Sequence, residues 1–364
     1  MEPPVPGSDG AEGRVRRPTM EDVAARVGVS RSLVSLVFRD APGAGPRTRE
    51  RVLRAAAEIG YRPDSAARVL ARSRSRVLGV LLTVRNPFHA DLVEAIYPEA
   101  ERLGYDVVLS ADAPTRSSHK AIETLLGHRC EAVILLGPTA RPSFLTSVLR
   151  RAVVVSVGRR FPGTGVETVH TAEARGIRSA VDYLTALGHR EIVHIDGGSN
   201  AGSPERRRDY RAAMRRNGLA DEIRVLRGDH TEESGAVAAH QLLSEDRLPT
   251  AVLAGNDRCA MGFLDAVSRA GVVVPDDVSV VGFDDIPSAG LSHIALTTVR
   301  QDVPGLARAA VELAVHRLEN SAEPGRESVL DPELVVRETT AAPRGTTATR
   351  PPRHEPDRLA PSVR

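Results

Sequence analysis

Tryptophan is absent, and six phenylalanines and five tyrosines are the only aromatic residues in a chain of 364. A core without large rings has to be built from Val, Leu, Ile and Ala, which suits buried parallel strands covered by helices. The two cysteines, Cys130 and Cys259, stand far apart and offer neither a disulfide framework nor the spacing of a metal site. No apolar run reaches the ~18 residues that a membrane-spanning helix needs, so no membrane partner is expected. The N-terminal stretch MEPPVPGSDGAEGRVRR lacks the apolar segment of a secretory signal, which points to a cytoplasmic protein. Lysine is nearly missing too. Lys120 stands alone, and arginine carries the rest of the positive charge.

The net charge of +2 hides an asymmetry. From Arg14 to Arg76, fifteen arginines face six acids, so this stretch is +9 and the remainder −7. A basic head on a mildly acidic body suits contact between the head and a polyanion. Residues 1–17 and 341–364 are rich in Pro, Gly and charge and are expected to be disordered tails. Between them lie a helical, short-looped head over 18–62, a basic linker over 63–76, and a body over 77–340. In the body, apolar runs such as Val77–Leu82, Ala132–Leu136 and Ser279–Phe283 alternate with amphipathic stretches such as Ala90–Leu103 and Gly176–Leu187. That alternation predicts parallel sheets covered on both faces, and the length suits two of them.

In the head, Thr19 caps a helix from Met20 to about Val27, with Asp22 in the capping-box position. Gly28 turns the chain, and Ser30 caps a second helix from Arg31 to about Phe38. A third helix opens at Gly45-Pro46. Apolar stripes of Val23, Ala24 and Val27, of Val34, Val37 and Phe38, and of Val52, Leu53, Ala56 and Ile59 can close one small core. Two short helices joined by a Gly-containing turn read as a helix-turn-helix. Arg31, Ser32, Ser35 and Arg39 then point outward from the second helix, where a recognition helix meets base edges. Leu33 and Leu36 have two readings, contact with thymine methyls or packing against the first helix. The segment DSAARVLARSRSR can form a helix from about Ser65 to Ala71, too short to stand alone in water. Its Leu70 is either a wedge for a minor-groove step or a packing residue.

These stretches, with LGVLL…NPFHADLVEAI, YLTALGHREIVHI, GDHTEESG, AVLAGNDRCAMGFLDAV, VPDDVSVVGFDDIP and LTTVRQD, run in order over residues 18–340. The sequence resembles the lactose/galactose-repressor (LacI/GalR) family. The resemblance implies a transcriptional regulator, most often a repressor, that binds a palindromic DNA operator as a homodimer. It implies a sensing domain like periplasmic binding proteins, with two Rossmann-like subdomains around a cleft. They would be an N-subdomain over about 77–172 and 301–325 and a C-subdomain over about 173–299 and 326–340. Chain crossings are expected near Thr171–Ala174, near Arg300 and near 323–330. By family position, Arg31, Ser32 and Leu33 read bases, and Ala67 and Leu70 form the hinge pair that enters the minor groove. In the cleft, Asn86 to Phe88 align with the first-strand loop. Arg206 matches a ligand-clamping arginine, Asn256 and Asp284 match polar contacts, and His230 stands where an aromatic stacks on the ligand. On the residues alone, Asn256 is equally a helix cap, Arg206 one of a solvated run, and Asp284 a turn residue.

Departures from the family pattern matter. Leu33-Val34-Ser35-Leu36 replaces a common Thr-Val-Ser-Arg, so the operator should differ. Gly158 stands where an Asp is frequent, and His170-Thr171 replaces a frequent Asp-Asn pair. Fewer acids weaken the case for a neutral sugar. The effector is a sugar first and another metabolite second. The alternative is an enzyme or a solute-binding protein using the same α/β cleft. However, no GxGxxG, GxxxxGK[ST], GxSxG or HExxH motif occurs, and no cofactor is expected.

Overall fold

The computed structural model describes residues 18–39, 41–61, 74–320 and 325–344. The chain divides into two compact units, Met1–Ser75 and Arg76–Arg364.

The first unit holds helices α1 (Met20–Val27), α2 (Arg31–Phe38) and α3 (Pro46–Glu58). The capping box is complete. The Thr19 amide donates to Asp22 Oδ2 at 2.7 Å, and the Asp22 amide donates to Thr19 Oγ1 at 3.3 Å. Gly28 ends α1 at φ +72°, a left-handed conformation that suits glycine. Ser30 Oγ accepts from the Leu33 amide at 3.2 Å. The core contains Val23, Ala24, Val27, Val34, Val37, Val52, Ala55 and Ala56, with Phe38 and Ile59 packed on it. One expectation fails here. Leu53 is 47% exposed, and Ala55 takes the inward place instead.

Among the described residues, the second unit contains two six-stranded sheets. In the first, β1 (Val77–Thr83), β2 (Asp106–Asp112), β3 (Ala132–Leu136), β4 (Val153–Val157), β5 (Glu167–Thr171) and β11 (Glu327–Leu330) lie in the order β11-β5-β4-β3-β1-β2. All its pairings are parallel. In the second, β6 (Ile192–Ile195), β7 (Arg224–Leu226), β8 (Ala251–Ala254), β9 (Ser279–Asp284), β10 (Thr297–Arg300) and β12 (Glu333–Val335) lie in the order β12-β10-β9-β8-β6-β7. Only β12 runs antiparallel, against β10. Strands β3 and β8 are buried along their whole length and read as unbroken Val, Leu, Ile and Ala, as suits parallel strands between helices.

Three crossings join the two lobes. The chain leaves β5 at Thr171 and enters the helix Glu173–Ala186, which packs on the helix Ser203–Arg216 of the second lobe. It returns after β10, through Gln301, into the helix Val303–Glu319, which packs on the helix Pro87–Arg102 and on β3, β4 and β5. The third crossing falls later than 323–330. Strand β11 pairs with β5 in the first sheet, so residues 327–330 belong to the N-subdomain and the chain crosses at Asp331-Pro332. Residues 341–344 are also not part of a loose tail. The Ala341 carbonyl accepts from Ser279 Oγ at 3.1 Å and lies 2.8 Å from His189 Nε2, and Arg344 pairs with Asp276.

Candidate functional site

Two surfaces carry chemistry. On α2, Arg31, Ser32 and Arg39 are exposed, and Ser35 is half-buried. The Arg31 guanidinium sits 3.4 Å from Glu21, an exposed and therefore weak pair. Arg39 Nε donates to the Ser35 carbonyl at 3.2 Å. Leu33 and Leu36 are half-buried and stand outside the head core, with Leu36 against the turn at Gly43. The hinge candidates Ala67 and Leu70 lie outside the described residues.

In the second unit, the carboxyl ends of both sheets face a cavity of about 820 Å³. Asn86, Phe88, Arg206, His230, Asn256 and Asp284 all line it. Ligands in open α/β sheets collect beyond these strand ends, where backbone groups are not consumed by the ladder.

Arg206, in the first turn of the helix Ser203–Arg216, is only 4% exposed. It donates from Nε to Glu173 Oε2 at 2.8 Å, from Nη2 to Glu173 Oε1 at 3.3 Å, and from Nη1 to the Gly255 carbonyl at 2.6 Å. Its guanidinium lies over the Phe283 ring, 3.6 Å from the centroid. Asp284 Oδ1 is 3.8 Å from Nη2, near enough for attraction but too far for a hydrogen bond. The arginine expected to offer a free fork to a ligand is therefore already bound to the protein through three of its five N–H donors. Its guanidinium compensates the buried Glu173 carboxylate.

Asp284 ends β9 with φ +119°, and Asp285 follows at φ +56°. Two successive non-glycine residues in this region are strained, and such strain concentrates where a side chain must be aimed. The two carboxylates point to different partners. Asp284 accepts from Gln301 Nε2 at 2.7 Å, whereas Asp285 pairs with Arg300 at 2.7 Å and Arg337 at 2.6 Å. Burial pushes the Asp284 carboxyl up to about 6, against the opposing pull of Arg206. Burial likewise raises Glu173, and it raises Asp257, fully buried behind Asp284, well above the usual range.

His230 is held at φ +68°. A Cβ on Gly197 would lie 1.9 Å from its Nε2, so glycine at 197 is what lets the ring sit there. The ring nitrogen contacts Ser203 Oγ at 3.0 Å, and burial and Arg206 lower its pKa to about 3. It offers the cavity a neutral ring. Asn256 is a helix cap as well as a cavity residue. Its Oδ1 accepts from the Cys259 amide at 3.0 Å, and its Nδ2 donates to the His230 carbonyl at 3.3 Å.

Residues 19–64 match the model of bacterial regulatory proteins of the lacI family, and residues 181–340 match that of a periplasmic binding protein-like domain. The chain is 31% identical over 337 residues to the HTH-type transcriptional repressor CytR of Escherichia coli (strain K12), covering 89% of this chain and 96% of that protein. The chain belongs to the lacI family of bacterial regulatory proteins. Among solved structures, a LacI transcriptional regulator from a Rhodococcus species is 44% identical with TM-score 0.71, covering 74% of this chain and 100% of that one. The lac repressor dimer bound to operator and the anti-inducer ONPF is 29% identical with TM-score 0.78, covering 90% of this chain and 100% of that one. The chain is thus a transcription regulator with a helix-turn-helix head and a two-lobed sensing domain, which sets aside an enzymatic reading of the cleft.

In this family member, sequence reasoning missed several cavity residues. Glu173 sits inside the segment marked as a crossing, and Gln301 inside the motif LTTVRQD, yet neither stood out as a side chain facing the cleft. Asp112 lines the cavity too, so with Glu173 and Asp284 the cleft has carboxylates despite Gly158. His170 turns away to Glu327, with Nε2 2.6 Å from Oε1.

Proposed function

We propose that this regulator represses transcription in the cytoplasm by binding a palindromic operator as a homodimer, and that a small polar metabolite, a sugar first, binds in the cleft and changes that affinity. Arg31, Ser32, Leu33, Ser35, Leu36 and Arg39 meet the DNA, with Ala67 and Leu70 as the hinge pair. Arg206, His230, Asn256, Asp284, Asn86 and Phe88 surround the effector. The lac repressor that the chain resembles was captured as a dimer on its operator.

The observation that carries the effector half is where the buried ion cluster stands. Thr171 on the first crossing donates to Gln301 Oε1 on the second, and Gln301 donates to Asp284. A ligand bonded to Asp284 competes for groups that hold the crossings together, so binding there bears on how the lobes are joined. Carboxylates beside a neutral histidine suit hydroxyl donors. This favours a neutral polyol over an anion.

The test has two arms. Selection from random duplexes should return an inverted repeat with half-sites about one helical turn apart. Recovery of a direct repeat or of single-stranded DNA contradicts the DNA half. A screen of sugars against the selected complex should then find one that shifts operator affinity in the wild type but not in Asp284→Asn.

A further inference from the structure

Two arginines of α3 turn back onto the other helices of the head. Arg49 donates from Nη1 to the Val37 carbonyl and from Nη2 to the Ala41 carbonyl, each at 3.2 Å. Arg51 donates from Nη2 to the Val27 carbonyl at 2.8 Å. Val27 is the last residue of α1, and Val37 stands one residue before the end of α2. Carbonyls in the last turn of a helix lack an amide from a following turn, and they carry the negative end of the helix dipole, so a cation is favoured there. Positions 49 and 51 lie about 200° apart around a helix. The two side chains therefore leave α3 on opposite flanks, one for each partner helix.

The clasp on α2 matters more, because α2 is lightly held. Its buried residues are Val34 and Val37, with Phe38 partly buried beside them. Its last turn contains no basic residue. The Arg49 fork bridges that last turn and the chain that follows it, on two carbonyls four residues apart. One planar guanidinium can hold both at once, which an ammonium on a flexible stem does less well. By contrast, α1 has its own basic residue in the last turn, Arg26, which gives it a second tie to α3 through Glu58 at 2.9 Å.

We infer that Arg49 is a positioning residue for base recognition and not one of the phosphate contacts. It fixes the carboxyl end of the recognition helix and, through it, the angle at which Arg31 and Ser32 enter the groove. This rests on the reading above that α2 meets the bases. An eight-residue helix is ~12 Å long, so a tilt of ~10° about one end moves the other by ~2 Å. A bond to a base edge does not survive such a shift, whereas attraction to phosphates, spread over many charges, does.

The test compares two duplexes, the operator returned by the selection described above and one of unrelated sequence. Each is titrated with the full-length protein by fluorescence anisotropy over a range of salt. Arg49→Gln should weaken the operator about tenfold or more, the scale of a lost base contact, and leave the unrelated duplex within about twofold. The slope of log affinity against log salt should not change. Arg49→Lys keeps the charge without the fork and should recover only part of the loss. The inference is overturned if Arg49→Gln binds the operator as the wild type does, or if Arg49→Lys restores binding in full. It is equally overturned if Arg49→Gln weakens both duplexes alike with a slope shallower by about 2 per dimer, the mark of one phosphate contact in each head. Amide hydrogen exchange of the free protein shows whether the head of Arg49→Gln is folded. If it is not, Arg49→Lys decides alone: a loss confined to the operator supports the clasp, and wild-type binding or an equal loss on both duplexes removes it. The double variant Arg31→Ala, Ser32→Ala separates the two levels. Weaker operator binding in that variant with a silent Arg49→Gln removes only the clasp. A silent double variant removes the reading of α2 as the recognition helix.

Discussion

Gln301 bonds Asp284 through its amide nitrogen at 2.7 Å and takes the Thr171 hydroxyl on its amide oxygen, so one side chain ties two crossings to the cavity carboxylate. It is 8% exposed. Gln301→Leu keeps the bulk and strands both partners, each left buried without its bond. The cost should be about 1–3 kcal/mol per stranded group, read as a lower urea midpoint with an unchanged slope. An unchanged midpoint would show that water reaches both groups.

Arg206 should matter more for stability than a ligand clamp would. Arg206→Met leaves Glu173 and Asp284 facing each other with no cation between them. Removing one partner of a buried pair costs about 3–5 kcal/mol. Glu173→Gln in the Arg206→Met background should restore part of that loss, because one of the two uncompensated charges is gone. Equal stability of the single and double variants would show that Glu173 is not what Arg206 neutralises.

Acidity should weaken the effector. Asp284 is raised from 3.8 to about 6 by burial. Between those values the unfolded chain releases this proton before the folded one does, so this group lowers stability as pH rises from about 4 to about 6 and adds no further change above. A hydroxyl donor needs the ionised carboxylate. Effector affinity should therefore be level above about pH 7 and fall by up to about tenfold per unit well below 6. Asp284→Asn should bind weakly and without this slope. The same slope in the variant would assign the effect to another group.

The head should bind DNA through phosphates as well as bases. Operator affinity should drop by about three orders of magnitude or more between roughly 50 and 200 mM salt. Arg31→Ala should reduce affinity and, if Arg31 reads a guanine edge, relax selection at one base position by about 1–3 kcal/mol. A uniform loss over all sequences would make Arg31 a phosphate contact.

Local features of the fold were legible because their causes are local. Thr19 and Asp22 are three residues apart, and Gly28 and Ser30 mark the turn by their own chemistry. The runs Ala132–Leu136 and, after Ser279, Val280–Phe283 read as buried strands because a strand covered on both faces leaves few polar positions. What sequence hid depends on pairing. Nothing in Glu327–Leu330 says which of two sheets it will join, and the choice of β5 moved the third crossing to Asp331-Pro332. Leu53 lies one position from Val52 on the helix, and only the packed neighbours decide which of Leu53 and Ala55 turns inward. The six cleft residues named from family position all reach one cavity. Glu173 and Gln301 were missed because their partners, Arg206 for the one and Thr171 and Asp284 for the other, lie far off in sequence, and no spacing announces such pairings.

The late position of β11 has a consequence for synthesis. The first lobe is begun by Val77 but receives the helix Val303–Glu319 and the strand Glu327–Leu330 only after the strands and helices from β6 to β10 have been made. A ribosome therefore releases nearly the entire second lobe while the first still shows the bare face that this helix will cover. The nascent chain cannot complete its lobes in order, and a stop codon anywhere before Leu330 leaves the earlier lobe unfinished rather than merely removing the later one.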